Sequence, residues 1–141
     1  MADNGSDFAR SMSIATSGLR AQAGRMRVIS ENIANADSTS PTAGGDPYRR
    51  KVPTFSSALD RTLDARVVTL GKIRTDGAAF RVKHEPSNPA ADAAGNVKYP
   101  NVNPLVEMTD MREAQRSYEA NLNIISATRR MIQRTLDILK A

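Results

Sequence analysis

Proline placement is the feature that most limits how this chain can fold. All seven prolines lie between positions 41 and 104, so both ends of the chain are free of them. Because proline lacks a backbone N–H and clashes with the preceding turn, it stops a helix that would otherwise continue. We therefore expect an N-terminal helical segment over 1–36, a middle segment over 37–104 and a C-terminal helical segment over 105–141.

The N-terminal segment carries a regular apolar pattern. Its members recur at alternating spacings of four and three residues: Phe8, Met12, Ala15, Leu19, Gln22, Met26, Ile29, Ile33 and Ala36. This spacing is typical of the seam of a coiled coil. It predicts one helix over about residues 8–36.

The C-terminal segment repeats the same rhythm. The pattern comprises Met108, Met111, Gln115, Tyr118, Leu122, Ile125, Arg129, Ile132, Leu136 and Leu139, with Ile124, Met131 and Ile138 widening the stripe. Acidic residues open this segment and basic residues close it, which complements the dipole of a helix. The pattern predicts a second long helix.

The middle segment lacks a helical period over most of its length. Residues 37–53 and 86–96 are rich in Ser, Thr, Asn, Gly and Pro and are predicted to be loops. Short β-branched runs at 66–74, 79–84 and 96–99 predict strands. Phe55, Leu59 and Leu63 lie four residues apart, so a short helix there stays a second possibility.

Two long helices at opposite ends of one chain can meet only if the chain doubles back. We therefore predict a mainly α fold with a small β-containing middle, in which the N- and C-terminal helices form an antiparallel coiled-coil hairpin. Each apolar stripe is wider than a narrow seam, so the pair leaves surface for other copies or a partner. The expected assembly interface comprises Met12, Leu19, Met26, Ile29, Ile33, Met111, Tyr118, Leu122, Ile125, Ile132, Leu136 and Leu139.

Composition agrees with a chain that depends on neighbours. Leu, Ile, Val and Phe together make up about 19% of the residues, which is low for a self-sufficient core. The net charge of +5 makes a basic helical nucleic-acid-binding protein the alternative. Basic and acidic residues alternate along the chain, however, and this argues against a concentrated phosphate-binding face.

Other classes are disfavoured by what the sequence omits. There is no cysteine, which excludes disulfides, thiol nucleophiles and cysteine-ligated zinc. Residues 1–7 are acidic and polar, unlike a cleavable secretory signal. No apolar run approaches the roughly 20 residues of a membrane helix. We therefore expect no direct membrane insertion.

Catalytic and metal-binding side chains are scarce. The single histidine, His84, has no second ligand at metal-site spacing. Glu107, Asp110 and Glu113 lie three residues apart and resemble paired carboxylates, but acids at the start of a helix explain them more simply. We predict no enzyme activity, no cofactor and no metal site.

Two short motifs admit more than one role. Gly44 and Gly45 suggest a phosphate-binding loop, but no Gly-Lys-Ser/Thr follows them. The basic triplet of residues 49–51 suits contact with nucleic acid or anionic lipid, although adjacent charges usually lie on a solvated loop. We take the solvated loop as the simpler interpretation, and Tyr48 beside the triplet suits a packing role.

The first predicted helix contains residues that are unusual for a helix interior. Gly18 and Gly24 should each cost about 1 kcal/mol relative to alanine. Either the helix is weak or broken there, or the backbone of another helix approaches closely. Asn32 and Asn35, by contrast, suit the end of the helix.

Several of these segments together resemble a known family. The runs at 17–22, 25–26 and 32–36 resemble the N-terminal signature of bacterial flagellar rod, hook and other axial proteins. The runs at 44–51, 99–103, 107–111 and 116–121 are similar to the proximal members of the basal-body rod protein family. The resemblance covers the chain from about residue 8 to its end. The motif residues are Asn32, Asn35, Tyr48, Arg49, Arg50, Pro100, Asn101, Glu119 and Asn121.

The resemblance implies a non-enzymatic building block of the flagellar rod, the drive shaft that spans the periplasm. It implies export through the flagellar type III export apparatus without a cleaved signal. Implied partners are other copies of the chain, the rod proteins FlgB and FlgF, the protein FliE and components of the basal rings. Helices that complete their apolar contacts only against neighbours should fold on assembly and then transmit torque.

Overall fold

Residues 4–140 of the chain are described by a computed structural model. The predicted terminal segments include residues 1–3 and 141, which lie outside the described residues. The described residues form two long helices joined by a middle segment of short strands and loops. The predicted fold class is confirmed to that extent.

The first helix, α1, spans Asn4–Ala34. It continues through Gly18 and Gly24, so the single helix is confirmed and the alternative of a helix broken at these glycines is wrong. Asn35 directly follows the last residue of the helix, as predicted, and its side-chain amide donates to the carbonyl of Glu31 in the last turn. Asn32 does not end it, because it lies within the helical span.

The second helix, α2, spans Pro104–Lys140. The side-chain oxygen of Asn103 accepts a hydrogen bond from the backbone N–H of Leu105 at 3.1 Å. A capping asparagine followed by proline is a strong start for a helix, since proline at the first position has no N–H to leave unpaired. The last of the seven prolines thus opens α2.

Six short strands pair into three antiparallel two-stranded sheets. The pairs are β1 (Lys51–Val52) with β4 (Arg74–Thr75), β2 (Phe55–Asp60) with β3 (Ala65–Leu70), and β5 (Arg81–His84) with β6 (Asn96–Tyr99). The short helix considered for Phe55, Leu59 and Leu63 is wrong. Residues 55–60 form β2, which pairs along its whole length with β3 through the register Phe55 to Leu70.

The chain divides into two compact units. The first unit comprises 4–26, 54–72 and 113–140, and the second unit comprises 27–53 and 73–112. Among the described residues, the buried side chains of the first unit are Ala15, Ala21, Ala65, Ala114 and Thr128. The second unit buries larger side chains, including Val28, Ile29, Val97, Tyr99 and Val102.

Candidate assembly interface

The buried face of α2 is a single line of residues spaced by seven. This inner column consists of Glu107, Ala114, Asn121 and Thr128. Glu107, Ala114 and Thr128 are 1%, 0% and 2% exposed, and Asn121 is half-buried. Residues seven apart on a helix lie almost above one another, so the column marks the side of α2 that packs against the rest of the chain. Its members are small or polar.

Two further columns of α2 carry the apolar residues that the sequence pattern singled out. The middle column, Met111, Tyr118, Ile125 and Ile132, is half-buried. The outer column, Met108, Gln115, Leu122, Arg129 and Leu136, is exposed. Leu122 is 42% and Leu136 is 45% exposed. Leu139, seven residues after Ile132 and therefore in line with the middle column, is 77% exposed.

The observed packing of α2 is therefore displaced from the predicted seam. The sequence pattern joined the middle and outer columns, whereas the chain buries the inner column in place of the outer one. Alanine and threonine allow a neighbouring element to approach more closely than leucine or methionine would. Burying the inner column leaves Leu122 and Leu136 for contacts outside the chain.

The predicted interface residues of α1 differ in how deeply they are buried. Met12, Leu19, Met26 and Ile33 are half-buried. Ile29 is only 3% exposed, so in this conformation it packs within its own chain and has little surface to offer a neighbour.

In the first unit, α1 and α2 touch through a glycine and an ion pair. A Cβ added at Gly18 would lie 3.0 Å from Cγ of Asn121, and the Asn121 amide donates to the carbonyl of Ser117. Arg25 Nη2 lies 3.4 Å from Glu113 Oε2. A close approach at Gly18 is thus observed, but a side chain makes it rather than a helix backbone.

Gly24, the second glycine in the interior of α1, is crowded by a strand. A Cβ at Gly24 would lie 2.7 Å from Cδ2 of Leu70, which belongs to β3. The neighbour that explains this glycine is therefore the β2–β3 hairpin and not another helix.

Asn32 is the centre of a buried polar cluster in the second unit. Its side-chain oxygen accepts hydrogen bonds from the hydroxyl of Tyr48 at 2.8 Å and from the backbone N–H of Lys51 at 2.9 Å. Its amide nitrogen donates to the carbonyl of Lys51 at 2.8 Å and to Oε2 of Glu107 at 3.0 Å. An asparagine offers two donors and two acceptor sites, so this buried amide is fully hydrogen-bonded.

The buried carboxylate of Glu107 has a second partner in Arg50. Nε of Arg50 donates to Oε1 of Glu107 at 2.6 Å. Asp76 and Asp110 lie 3.6 and 3.7 Å from the terminal nitrogens of the same guanidinium. Burial lowers the pKa of Arg50, but the hydrogen bond to Glu107 and the three nearby carboxylates outweigh burial and raise it. Glu107 therefore does more than open a helix, which corrects its interpretation as a simple dipole-complementing acid.

Asn101 and Pro100 hold the other side of this cluster. The side-chain oxygen of Asn101 accepts the backbone N–H of Arg50 at 2.9 Å, and its amide donates to the carbonyls of Asp76 and Ala78. The carbonyl of Pro100 accepts a hydrogen bond from Arg81 at 3.0 Å. These contacts fix the backbone that carries Arg50.

The basic triplet is not a solvated loop, which corrects the simpler interpretation. Arg50 is paired with Glu107, and Lys51 forms an ion pair with Glu31. The guanidinium of Arg49 stacks over the ring of Phe80 at 4.1 Å. Tyr48 packs in the cluster, and its burial, followed by the charges of Glu31 and Glu107, raises its pKa to about 12. Glu119, the remaining motif residue, is exposed on α2.

A cavity of about 460 Å³ lies in the first unit between α1 and the β2–β3 hairpin. Its lining includes Met12, Arg20, Asp60 and Leu70 and contains no histidine.

His84 is exposed on β5, where its ring faces the side-chain oxygen of Asn96 at 3.3 Å. Within residues 4–140 no three His, Cys, Asp or Glu side chains are grouped to hold a metal ion. No helix over the same residues is long and apolar enough to cross a membrane.

Sequence patterns brought the motif residues to attention without showing that they meet. The structure joins Asn32, Tyr48, Arg50 and Glu107, which lie in three separate stretches of the chain. One available signal was missed: Glu107 and Ala114 are seven residues apart on the same helix as Asn121 and Thr128. A column of small and polar residues at that spacing indicates close packing as clearly as an apolar column does.

Comparison with known proteins gives consistent matches along the chain. Residues 12–40 match the family described as Flagella basal body rod protein, and residues 93–138 match Flagellar basal body rod FlgEFG protein C-terminal. Proteins named flagellar basal-body rod protein FlgC are similar over nearly their whole length. The one from Agrobacterium fabrum is 54% identical over 91% of this chain and 92% of its own. The one from Bacillus subtilis is 38% identical over 92% of this chain and 97% of its own. The one from Aquifex aeolicus is 37% identical over 95% of this chain and 98% of its own.

Proposed function

Because the chain belongs to the FlgC family of flagellar basal-body rod proteins, we propose that it completes the apolar faces of its helices only by assembly into the rod. The chain is a structural subunit of the rod in the flagellar basal body. We further propose that the helices fold on assembly, that the assembled helices transmit torque, and that the exposed apolar residues of α2 form the interface. The expected axial helices remain 1–36 and 105–141, and the expected middle segment remains 37–104.

The exposed large apolar side chains of α2 are the observation that carries this proposal. Leu122 and Leu136 are about half exposed, and Ile138 and Leu139 are 76% and 77% exposed. Burying one such side chain contributes roughly 1.5–3 kcal/mol. A helix that leaves four of them in water therefore gains substantially from a neighbouring subunit. Laterally interlocked helices of this kind transmit torque.

Two contacts in the first unit support an antiparallel coiled-coil hairpin. Gly18 faces Asn121, and Arg25 pairs with Glu113. From the first contact to the second, the residue number increases on α1 and decreases on α2, as it must in an antiparallel pair. The contacting positions are seven residues apart on α1 and eight residues apart on α2, which is about two turns of each helix, so the two helices can run side by side over this stretch.

The proposed partners follow from the family. Other copies of the chain and the adjacent rod proteins FlgB and FlgF would cover the outer column, with FliE and ring components at the base of the rod. Passage through the flagellar type III export apparatus would precede assembly, and the assembled rod would span the periplasm. We assign no catalytic role, cofactor or membrane insertion.

The nucleic-acid alternative is not retained. Arg50 and Lys51 already pair with carboxylates of the same chain, and Arg49 covers an aromatic ring. A phosphate would have to displace these partners. The triplet that first suggested such binding therefore supports an internal role.

Replacing Ile125 in the middle column by aspartate tests the proposal. Ile125→Asp should leave synthesis and export nearly normal, because the helix does not have to be packed at that stage. In the rod, the charge would be buried without a partner, which is strongly unfavourable. Incorporation into the rod and swimming should both be lost. Secretion is measured by immunoblotting of culture supernatants, incorporation by electron microscopy of basal bodies, and motility in soft agar.

The matched control is Gln133→Asp, because Gln133 is exposed on the same helix. This change replaces a hydrogen bond to Asp137 by a repulsion worth only a few tenths of a kcal/mol. The control strain should swim nearly as well as the parent. Complete rods and normal swimming with Ile125→Asp would contradict the assignment of this face to assembly.

A further inference from the structure

Apolar stripes alone leave the pairing of α1 and α2 underdetermined. Both stripes repeat every seven residues, so sliding one helix by a heptad places similar side chains opposite each other again. The inner-column residue Ala114 would tolerate such a shift as well, since it has no polar side-chain group that needs a particular partner. Something else has to distinguish the observed register from the neighbouring ones.

Glu107 is the member of the inner column that cannot be moved without loss. Its side chain is 1% exposed, and each of its two oxygens accepts a specific hydrogen bond. Oε1 accepts from Arg50 at 2.6 Å, and Oε2 accepts from Asn32 of α1 at 3.0 Å. In a register displaced by a heptad, this carboxylate would lose the amide on α1, and Arg50 would be left among carboxylates without its shortest contact.

Arg50 is itself held in place independently of Glu107. Its backbone N–H donates to Asn101, and its guanidinium lies near Asp76, and both of these residues lie outside α2. Asn32 is also held, because its other hydrogen bonds go to Tyr48 and to the backbone of Lys51. Asn32 and Arg50, which bind the Glu107 carboxylate, are therefore held in place by residues that lie outside α2.

We infer that Asn32, Arg50 and Glu107 are the residues that specify the register in which α1 pairs with α2. A buried polar group that is satisfied in only one alignment is an established way for paired helices to select register. The inference rests on the proposed hairpin, but it assigns the choice of alignment to three particular side chains and not to the apolar stripes.

Disulfide cross-linking in assembled rods tests this assignment, because the chain has no native cysteine. The native register is reported by Gly18→Cys with Asn121→Cys. Cγ of Asn121 occupies the place of a cysteine sulfur, and it lies 3.0 Å from an ideal Cβ at 18. Registers shifted by one heptad are reported by Gly18→Cys with Ala114→Cys or with Thr128→Cys. Full-length chains are recovered in isolated basal bodies, oxidised, and analysed for links within monomer-sized bands.

In an otherwise unchanged chain, the 18–121 link should form and the two shifted links should be at background. The double change Arg50→Leu with Glu107→Leu removes the ion pair and keeps an apolar interior. It should lower the ratio of native to shifted links at least threefold. Glu107→Gln keeps the shape but removes the charge, so its ratio should lie between those two.

The matched control removes an exposed ion pair from the same unit. Lys98 and Asp46 lie 2.8 Å apart at the surface, and the change Lys98→Leu with Asp46→Leu should keep the native link alone. A native-to-shifted ratio equal to that of the unchanged chain in both Glu107 variants would overturn the inference. If the leucine variant is not incorporated into rods, the ratio in Glu107→Gln decides by the same criterion. Failure of the unchanged chain to form the 18–121 link would instead contradict the proposed hairpin.

Discussion

The two compact units bury different kinds of side chain. In the first unit, the buried residues among those described are four alanines and a threonine. In the second unit, valines, an isoleucine and a tyrosine are buried together with the charged Glu107 and the amide of Asn32. Large apolar residues of the first unit, such as Leu122, Leu136 and Leu139, stay exposed.

This difference separates a unit that has a core of large apolar side chains from one whose buried apolar side chains are small. A fully buried Val, Leu or Ile contributes roughly 1.5–3 kcal/mol, whereas burying an alanine methyl contributes far less. The second unit therefore draws stability from within the chain. Among the described residues, the first unit fully buries no apolar side chain larger than alanine, which is the state expected of a subunit that completes its folding against neighbours.

Removal of Arg50 is the strongest test of whether the second unit is stabilised by contacts within its own chain. Arg50→Ala leaves the carboxylate of Glu107 buried with Asn32 as its remaining side-chain donor. Breaking a buried ion pair from one side typically costs about 3–5 kcal/mol. The loss should appear as faster hydrogen exchange in 27–34 and 104–112.

Arg49→Ala is the control for that measurement. Arg49 stacks over Phe80 and lies next to Arg50 in the sequence. An exposed cation–π contact is worth about 0.5–1 kcal/mol, so exchange should change little. Similar effects of the two changes would mean that the buried pair does not stabilise the second unit.

Hydrogen exchange in the unmodified monomer sharpens the same contrast. Amides of 113–140 should exchange at least ~100-fold faster than those of 27–34 and 104–112, because few buried contacts oppose local opening there. The measurement needs a chain verified as monomeric by sedimentation. Uniformly slow exchange along both helices would contradict folding on assembly.

The sequence predicted the helices well and their packing faces less well. Confinement of proline to the middle and the heptad spacing were enough to place α1 and α2, because both rules act locally. The face of α2 that packs within the chain, which includes Asn121 and Thr128, was not predicted, while the assignment of Leu122 and Leu136 to assembly stays a prediction. An apolar pattern ranks residues by hydrophobicity, whereas close approach of two elements selects for small size.

The polar cluster around Asn32 could not be predicted from the sequence, for a different reason. Its residues are separated by long stretches of loop and strand, and nothing local indicates that Tyr48 will meet the Asn32 amide or that Arg50 will meet the Glu107 carboxylate. Three adjacent basic residues usually lie on a solvated surface. The tertiary contact with Glu107 overrides that tendency, and only the fold reveals it.

Gly18 offers a smaller test of the close contact in the first unit. Gly18→Ala gains about 1 kcal/mol of helix propensity but forces Asn121 to move, and overpacking costs about 1–3 kcal/mol. The single change should therefore be slightly destabilising in assembled rods, as measured by their resistance to acid or heat. In an Asn121→Ala background, the same change should become stabilising. Equal effects in both backgrounds would show that the two residues are not coupled.

The smallest expected effect concerns the Tyr48 hydroxyl, which donates to Asn32 in the second unit. Burial and the charges of Glu31 and Glu107 raise the pKa of Tyr48 to about 12 from the usual 10. A raised pKa means that the folded chain favours the protonated phenol, so this stabilising contribution is complete below pH 10 and is lost as the pH approaches 12. Tyr48→Phe should lose only about 0.5–1.5 kcal/mol at neutral pH, since a single hydrogen bond is removed. Subtracting the absorbance titration of Tyr48→Phe from that of the parent isolates this one phenol while circular dichroism confirms that the helices persist. A midpoint near pH 10 would mean that Tyr48 is solvated, and the cluster around Asn32 would then not be closed in solution.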